Sequence, residues 1–236
     1  MSQSFSLVDL LAVADLQTYL SRAARVEEGS VRLIAGSGVL AVYTAILYPR
    51  GLMDETPTVL GLRTFATGAD VEFDVVVPIR SLLDRVARVR ESAEAAEAEG
   101  TGAEGTTAPI EVRLPLEVST VTWAGISPPR GGWQKVGETS SALLQSTAKT
   151  GVAEVAEAVP TGTGEQLVQR VRAEVWGRPI DDLEYIPAGA AFAADSLGFV
   201  GDDDDTVTIH ETGRWTRLTT RRGHTLVRRQ AWTLRR

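Results

Sequence analysis

Residues 31–48, VRLIAGSGVLAVYTAILY, decide the fold class. Val31–Ala35 and Val39–Tyr48 are runs of β-branched, aromatic and other apolar residues, and Gly36-Ser37-Gly38 between them is turn chemistry. The direct reading is two strands joined by a glycine turn. With Ala41, the same letters satisfy G-x-G-x-x-A, the phosphate-cradling turn of dinucleotide-binding folds. That pattern requires a helix after the turn and an acidic residue at the end of the next strand to hold a ribose. Neither is present, so the stretch reads as a hairpin and no cofactor is assigned.

Outward from this hairpin, Thr58–Thr67 (TVLGLRTFAT) and Val71–Val77 (VEFDVVV) have the same character, separated from it and from each other by turn residues. Residues 30–77 are therefore expected to form a four-stranded antiparallel meander. On its N-terminal side, residues 7–26 repeat apolar residues at helical spacing (Leu7, Leu10, Leu11, Ala14), with Ser6 as N-cap and Asp9 at the third helical position. Beyond it, Pro78 suits the first position of a helix carrying Ile79, Leu82, Leu83 and Val86 to about Arg90.

Residues 91–108, ESAEAAEAEGTGAEGTTA, have too few large apolar groups to offset the entropy of ordering them; the first part can prolong the preceding helix, and the rest is read as a flexible linker or insertion. IEVRLPLEVSTVTWAG then reads as one or two strands. Two helices follow, marked by Leu144, Ala148, Val152, Val155 and Val159 and by Leu167, Val168, Val171 and Val175. A small-residue helix covers 188–199. A second meander follows, TVTIHE, RWTRLTT and HTLVRR, over 206–229, with turns at Thr212-Gly213 and Arg222-Gly223.

The expected fold is thus α+β: two antiparallel meanders, in two sheets or one, packed by an N-terminal helix and a central helical cluster. The expected organisation is an N-terminal α+β half over 1–90, a flexible linker or insertion over 91–109, and a C-terminal α+β half over 110–236. The halves form one compact domain or two. No sequence repeat of fixed period is present.

Charge is strongly segregated. The last 23 residues, Arg214–Arg236, hold eight arginines and no Asp or Glu, whereas all 31 acidic residues precede them, leaving +8 on the tail and −15 on the body. Arg214, Arg217, Arg221, Arg222, Arg228 and Arg229 concentrate on the terminal ribbon and are the candidate contacts to an anion or a partner. A second candidate is the loop Trp123–Trp133, WAGISPPRGGW. There Pro128-Pro129 hold an extended conformation, Gly131-Gly132 allow a reversal, and Trp123, Arg130 and Trp133 are residue types enriched at interfaces.

Cysteine is absent, which removes disulfides, thiolate nucleophiles and cysteine-bound metals. The only histidines, His210 and His224, lie in the terminal meander without an H-E-x-x-H pattern, and no G-x-S-x-G elbow exists. Asp202–Asp205 lack the ligand spacing of a calcium loop and read as a solvated turn. No catalytic or metal-binding residue is assigned. The N-terminus has no basic start, and no apolar run approaches the roughly 20 residues of a membrane span. These readings give an acidic, cytoplasmic, non-enzymatic binding or assembly protein that self-associates or holds a protein partner. The alternatives are a nucleic-acid-associated protein contacting phosphates through the arginine ribbon and an enzyme with a carboxylate-based site.

Overall fold

The computed structural model describes residues 3–228 except 52, 53, 55, 99–108, 119, 120, 126, 161 and 202–204. The chain divides into two compact units, residues 1–44 with 63–124 and residues 45–62 with 125–236.

The first unit contains β1 (Ser4–Leu7), α1 (Leu10–Val26), β2 (Ser30–Gly36), most of β3 (Val39–Leu47), the end of β4 (Thr58–Ala66), β5 (Phe73–Pro78), α2 (Ile79–Ala98), β6 (Ile110–Arg113) and a 3-10 turn, Thr122–Gly125. Ser37 and Gly38 both have positive φ (53° and 76°), and Gly36 pairs with Val39. The G-x-G stretch is therefore the two-residue hairpin turn between β2 and β3, in the left-handed conformation whose twist matches paired strands.

Alternation sets the core: Val31, Leu33, Leu40, Val42, Val75 and Val77 are buried on one sheet face, with Val13, Leu16, Tyr19, Leu20, Leu82 and Val86 from α1 and α2. The Tyr19 hydroxyl meets Thr44 Oγ1 at 2.9 Å, and burial pushes its pKa up. On the opposite face Arg32 grips Asp74 through two bonds of 2.7 Å and donates to the Ala124 carbonyl.

Two expectations change here. The first helix starts at Leu10, and its N-cap is Asp9, whose carboxylate accepts from Ala12 N at 2.7 Å. Ser6 and Leu7 belong instead to β1, which pairs with β6 and buries Phe5 and Leu7. The four strands of the expected meander, β2 to β5, also do not follow chain order, because β5 returns to pair with β2. The far edge of β4 is not open to β5; it is taken by a strand from the C-terminal meander. Helix α2 continues through Ala98, and 99–108 lie outside the described residues.

The second unit holds the rest of β3 and β4, then β7 (Gln134–Ser140), α3 (Ser141–Ala158), α4 (Glu165–Gly177), the short strands β8 (Pro179–Ile180) and β9 (Leu183–Pro187), α5 (Ala188–Ser196), β10 (Thr206–Thr212), β11 (Trp215–Thr219) and β12 (His224–Arg228). The fold is α+β, and the meanders share one eight-stranded sheet of order β5-β2-β3-β4-β12-β11-β10-β7. This order reads alike from both ends. A helix precedes each three-strand meander (α1 before β2-β3-β4, α5 before β10-β11-β12), and each outer strand, β5 or β7, runs directly into a helix. The repeat is one of topology, without a sequence period. Among the described residues no helix is long and apolar enough to cross a membrane.

Helices α3, α4 and α5 pack together. The small residues of α5 permit close approach: Ala190, Ala191, Ala193 and Ala194 are almost completely buried. The apolar stripe of α3 turns at Gly151, so Leu144 and Ala148 are buried while Val152 is 48% exposed. Gly151 faces Trp176, which is itself 2% exposed and stacked on Phe192 with ring centroids 4.4 Å apart. A Cβ at position 151 would lie 2.3 Å from the Trp176 ring. Alanine would gain about 1 kcal/mol in helix propensity, but overpacking a core costs about 1–3 kcal/mol and there is no space for the ring to yield. Gly151→Ala is expected to destabilise the protein, read as a lower denaturation midpoint in urea.

Candidate functional site

The two surfaces singled out in the sequence meet at one point of the second unit. Arg217 of β11 places its guanidinium over the Trp133 ring, 4.6 Å from the centroid, a geometry in which the ring face attracts the cation. Trp133 is held in turn by its Nε1, which donates to the Pro129 carbonyl at 3.1 Å, closing the Pro-Pro/Gly-Gly loop. Gly132 at φ +76° makes the reversal.

The register explains which groups surround this pair. Arg217 lies opposite His210 on β10, and His210 lies opposite Lys135 on β7, so three basic side chains form one cross-strand row. Towards the sheet interior the row continues through Leu226 and Leu60, both 1% exposed. A β-bulge between Ile209 and His210 creates this arrangement. Because Ile209 pairs with Gly137, an unbroken ladder would set Val136 against His210; the bulge advances Lys135 into that place. Lys135 also pairs with Glu138 on its own strand. The next row is Glu138, Thr208, Thr219, His224 and Leu62, with His224 Nδ1 3.1 Å from Thr219 Oγ1.

Both histidines are held neutral. Burial, then Arg217 and Lys135, lower the pKa of His210. Burial, then Arg217 and His210, push His224 down to about 4. The Nδ1 atom of His210 is buried and has no hydrogen-bond partner among the described residues.

The remaining candidate residues separate. Trp123 belongs to the first unit, where it is 5% exposed within the 3-10 turn, as a core side chain. Pro128 is buried, and Pro129 and Arg130 are exposed. Arg214 is exposed at the β10–β11 turn and Arg228 is half-buried opposite Trp215. Arg221 makes two bonds of 2.7 Å to Asp205, and the Arg222 guanidinium packs beside Gly201. Arg229 lies outside the described residues. Sequence reading missed Lys135 because QKVGETS gives no apolar alternation; none of the residues of β7 is buried. Among the described residues no three or more His, Asp or Glu gather in a metal-holding group.

Residues 1–104 match a domain of unknown function (DUF8010), and residues 128–232, which contain the whole Trp133–Arg217 site, match a second domain of unknown function (DUF8185). No protein of curated function matches the chain. Solved structures similar to it include the Caulobacter crescentus pol III beta, at 10% identity and TM-score 0.50, covering 100% of this chain and 66% of that one. They also include the Bacillus subtilis DNA polymerase sliding clamp, at 9% identity and TM-score 0.50, covering 100% and 67%. The fold is similar to that of sliding clamps. The likeness is one of fold, and the chain spans about two thirds of the length of these clamps.

The histidine geometry gives a pH dependence. A group whose folded pKa lies below its unfolded value of about 6.5 binds more protons when unfolded. Its contribution to stability is complete above that value and declines as pH falls towards about 4. Unfolding midpoints measured between these limits are expected to fall in the native protein and to fall less in His224→Gln.

Proposed function

We propose that this chain is a non-enzymatic, cytoplasmic assembly protein, built like a sliding clamp, that self-associates and holds other proteins along the β7 edge and the adjoining Trp133–Arg217 face. The observation that carries this reading is β7 itself. It is the last strand of the eight-stranded order, and among the described residues it pairs with β10 alone. None of its seven residues is buried, and Val136 presents 56% of its surface. An open edge presents a row of backbone donors and acceptors ready to pair with another chain. At the opposite edge, Val118 N donates to the Val76 carbonyl of β5 at 2.8 Å. Similarity to clamps supports an assembly role by analogy of fold.

A nucleic-acid reading draws on the same likeness, because the similar structures are DNA polymerase clamps. Two of the described ribbon arginines weigh against it: Arg217 is committed to Trp133 and Arg221 to Asp205. Affinity for duplex DNA that collapses between about 50 and 200 mM salt would favour that second reading.

Light scattering tests the assembly reading. The native protein is expected to exceed its 25.3 kDa chain mass as concentration rises. Val136→Lys places a charge of the kind that protects natural sheet edges, and is expected to return the protein to the monomer mass with an unchanged melting temperature. A monomer at all concentrations would contradict self-association.

A further inference from the structure

Strand β4 changes neighbours along its length. Its pairing with β12 ends at Leu62, and β1 joins past its last residue, with Leu7 opposite Thr67. Between these points Arg63–Ala66 keep β3 on one side and, among the described residues, have no strand on the other. The residues that follow fix the backbone directions. Thr67 N donates to the Gly38 carbonyl in the β2–β3 turn, and Gly68 N donates the opposite way, to the Ser6 carbonyl of β1. Successive residues of a strand turn their hydrogen-bonding groups to alternate sides, so Thr64 and Ala66 aim theirs away from β3, into the unpaired gap. A groove of about 650 Å³ opens there, wholly within the first unit, with Val8, Leu11, Ala12 and Asp15 along its other wall. Phe65, 6% exposed, and Arg63, paired with Asp15, face α1, whereas Thr64 and Ala66 are exposed on the opposite sheet face. Leu11 at the rim presents 80% of its surface. Asp15 balances Arg63, while Asp9 caps α1 through Ala12 N and has no ion-pair partner among the described residues.

We infer that this gap is the docking site for a short extended segment of a partner protein, apolar opposite Phe65 and basic at the end nearer Asp9. The gap is a second binding surface beside β7 and stands or falls independently of it. Outward amides and carbonyls on a strand are matched by another backbone, so the occupant is a polypeptide. Four residues at about 3.4 Å each span about 14 Å, and Leu7 closes one end, so the occupant is a short motif rather than a long strand. Alternation of the added strand turns the residue opposite Phe65 towards Val8, Leu11 and Ala12, where a large apolar side chain takes exposed Leu11 surface out of water. Its two neighbours, opposite Thr64 and Ala66, face solvent and are polar. Asp9 lies two residues beyond Leu7, and its unmatched charge selects a lysine or arginine at that end of the segment. In an antiparallel arrangement that end is the N-terminus, which gives the order basic, polar, apolar, polar.

The test uses the full chain and an acetylated, fluorescein-labelled Lys-Thr-Leu-Thr-Ala peptide, read by anisotropy and by amide hydrogen exchange of the protein. The peptide is expected to bind and to slow exchange at Thr64 and Ala66, which exchange rapidly in the free protein. Replacing its Leu by Asn is expected to weaken binding about tenfold or more, the scale of one large apolar side chain. Replacing its Lys by Gln costs a smaller factor, about threefold, the scale of one exposed charge contact. Thr64→Pro removes one outward amide and leaves the pairing with β3 intact; it is expected to weaken the peptide about fivefold. Leu11→Asn, at a side chain already 80% exposed, checks the apolar wall without threatening the fold. Binding that leaves Thr64 and Ala66 unprotected, or that ignores both the Leu→Asn peptide and Leu11→Asn, would overturn the inference. So would Thr64 and Ala66 amides already protected in the free protein at every concentration, because the chain itself then fills the gap. Loss of peptide binding in Val136→Lys would assign the peptide to β7 and overturn the inference; binding unchanged in that variant supports a separate site, whatever the outcome for self-association.

Discussion

The structure depends on the pairing of β4 with β12. Thr58–Leu62 lie antiparallel to His224–Arg228, with Leu60 opposite Leu226 and Val59 opposite Val227, all four nearly inaccessible to solvent. This contact joins segments far apart in sequence, yet loop-closure entropy grows only slowly, by about 0.6 kcal/mol for each doubling of loop length. Burial of four large apolar side chains outweighs that increment, since each contributes roughly 1.5–3 kcal/mol. Once β12 is fixed on β4, short turns fix β11 and β10, and β7 follows on β10. The meeting of Trp133 with Arg217 and the openness of the β7 edge are consequences of that one pairing.

Where a segment is buried on one face, its sequence declares it. The alternation of VRLIA, VLAVYT and TVTIH corresponds to buried residues at every second position, and Ile79, Leu82 and Val86 of α2 are core residues, whereas in α1 Leu11 is 80% exposed and Val13, Leu16 and Leu20 fill the core instead, and in α3 the stripe leaves the core at Val152. Pairing order is different, because nothing local in VEFDVVV distinguishes β2 from β4 as its partner. β1 was absorbed into the helix after it because Leu7 continues the helical spacing of Leu10 and Leu11. The β-bulge and β7 left no local signal at all: an exposed edge strand has no core to fill, and QKVGETS resembles a loop.

The arginine tail shows why charge counted along a chain is a poor map of charge in space. Counted as a block it is a cationic patch. In the structure its described members have separate tasks: Arg217 stacks on an indole, Arg221 pairs with Asp205 from the acidic run, and Arg228 stands opposite Trp215 in the sheet. The Arg221 pair is exposed and of small energetic value, whereas Arg217 combines an aromatic contact with a strong influence on both histidines. The signal in the sequence lay in the combination of the tail with WAGISPPRGGW, whose far end, Trp133, provides the ring.

Amide hydrogen exchange, followed residue by residue in dilute and concentrated protein, tests the central claim that a sheet closed by β4–β12 leaves β7 open for partners. The account predicts the slowest exchange at β4 and β12 in both samples, and rapid exchange at the outward amides of β7 that slows on assembly. Outward β7 amides that exchange equally fast in the assembled protein would contradict it.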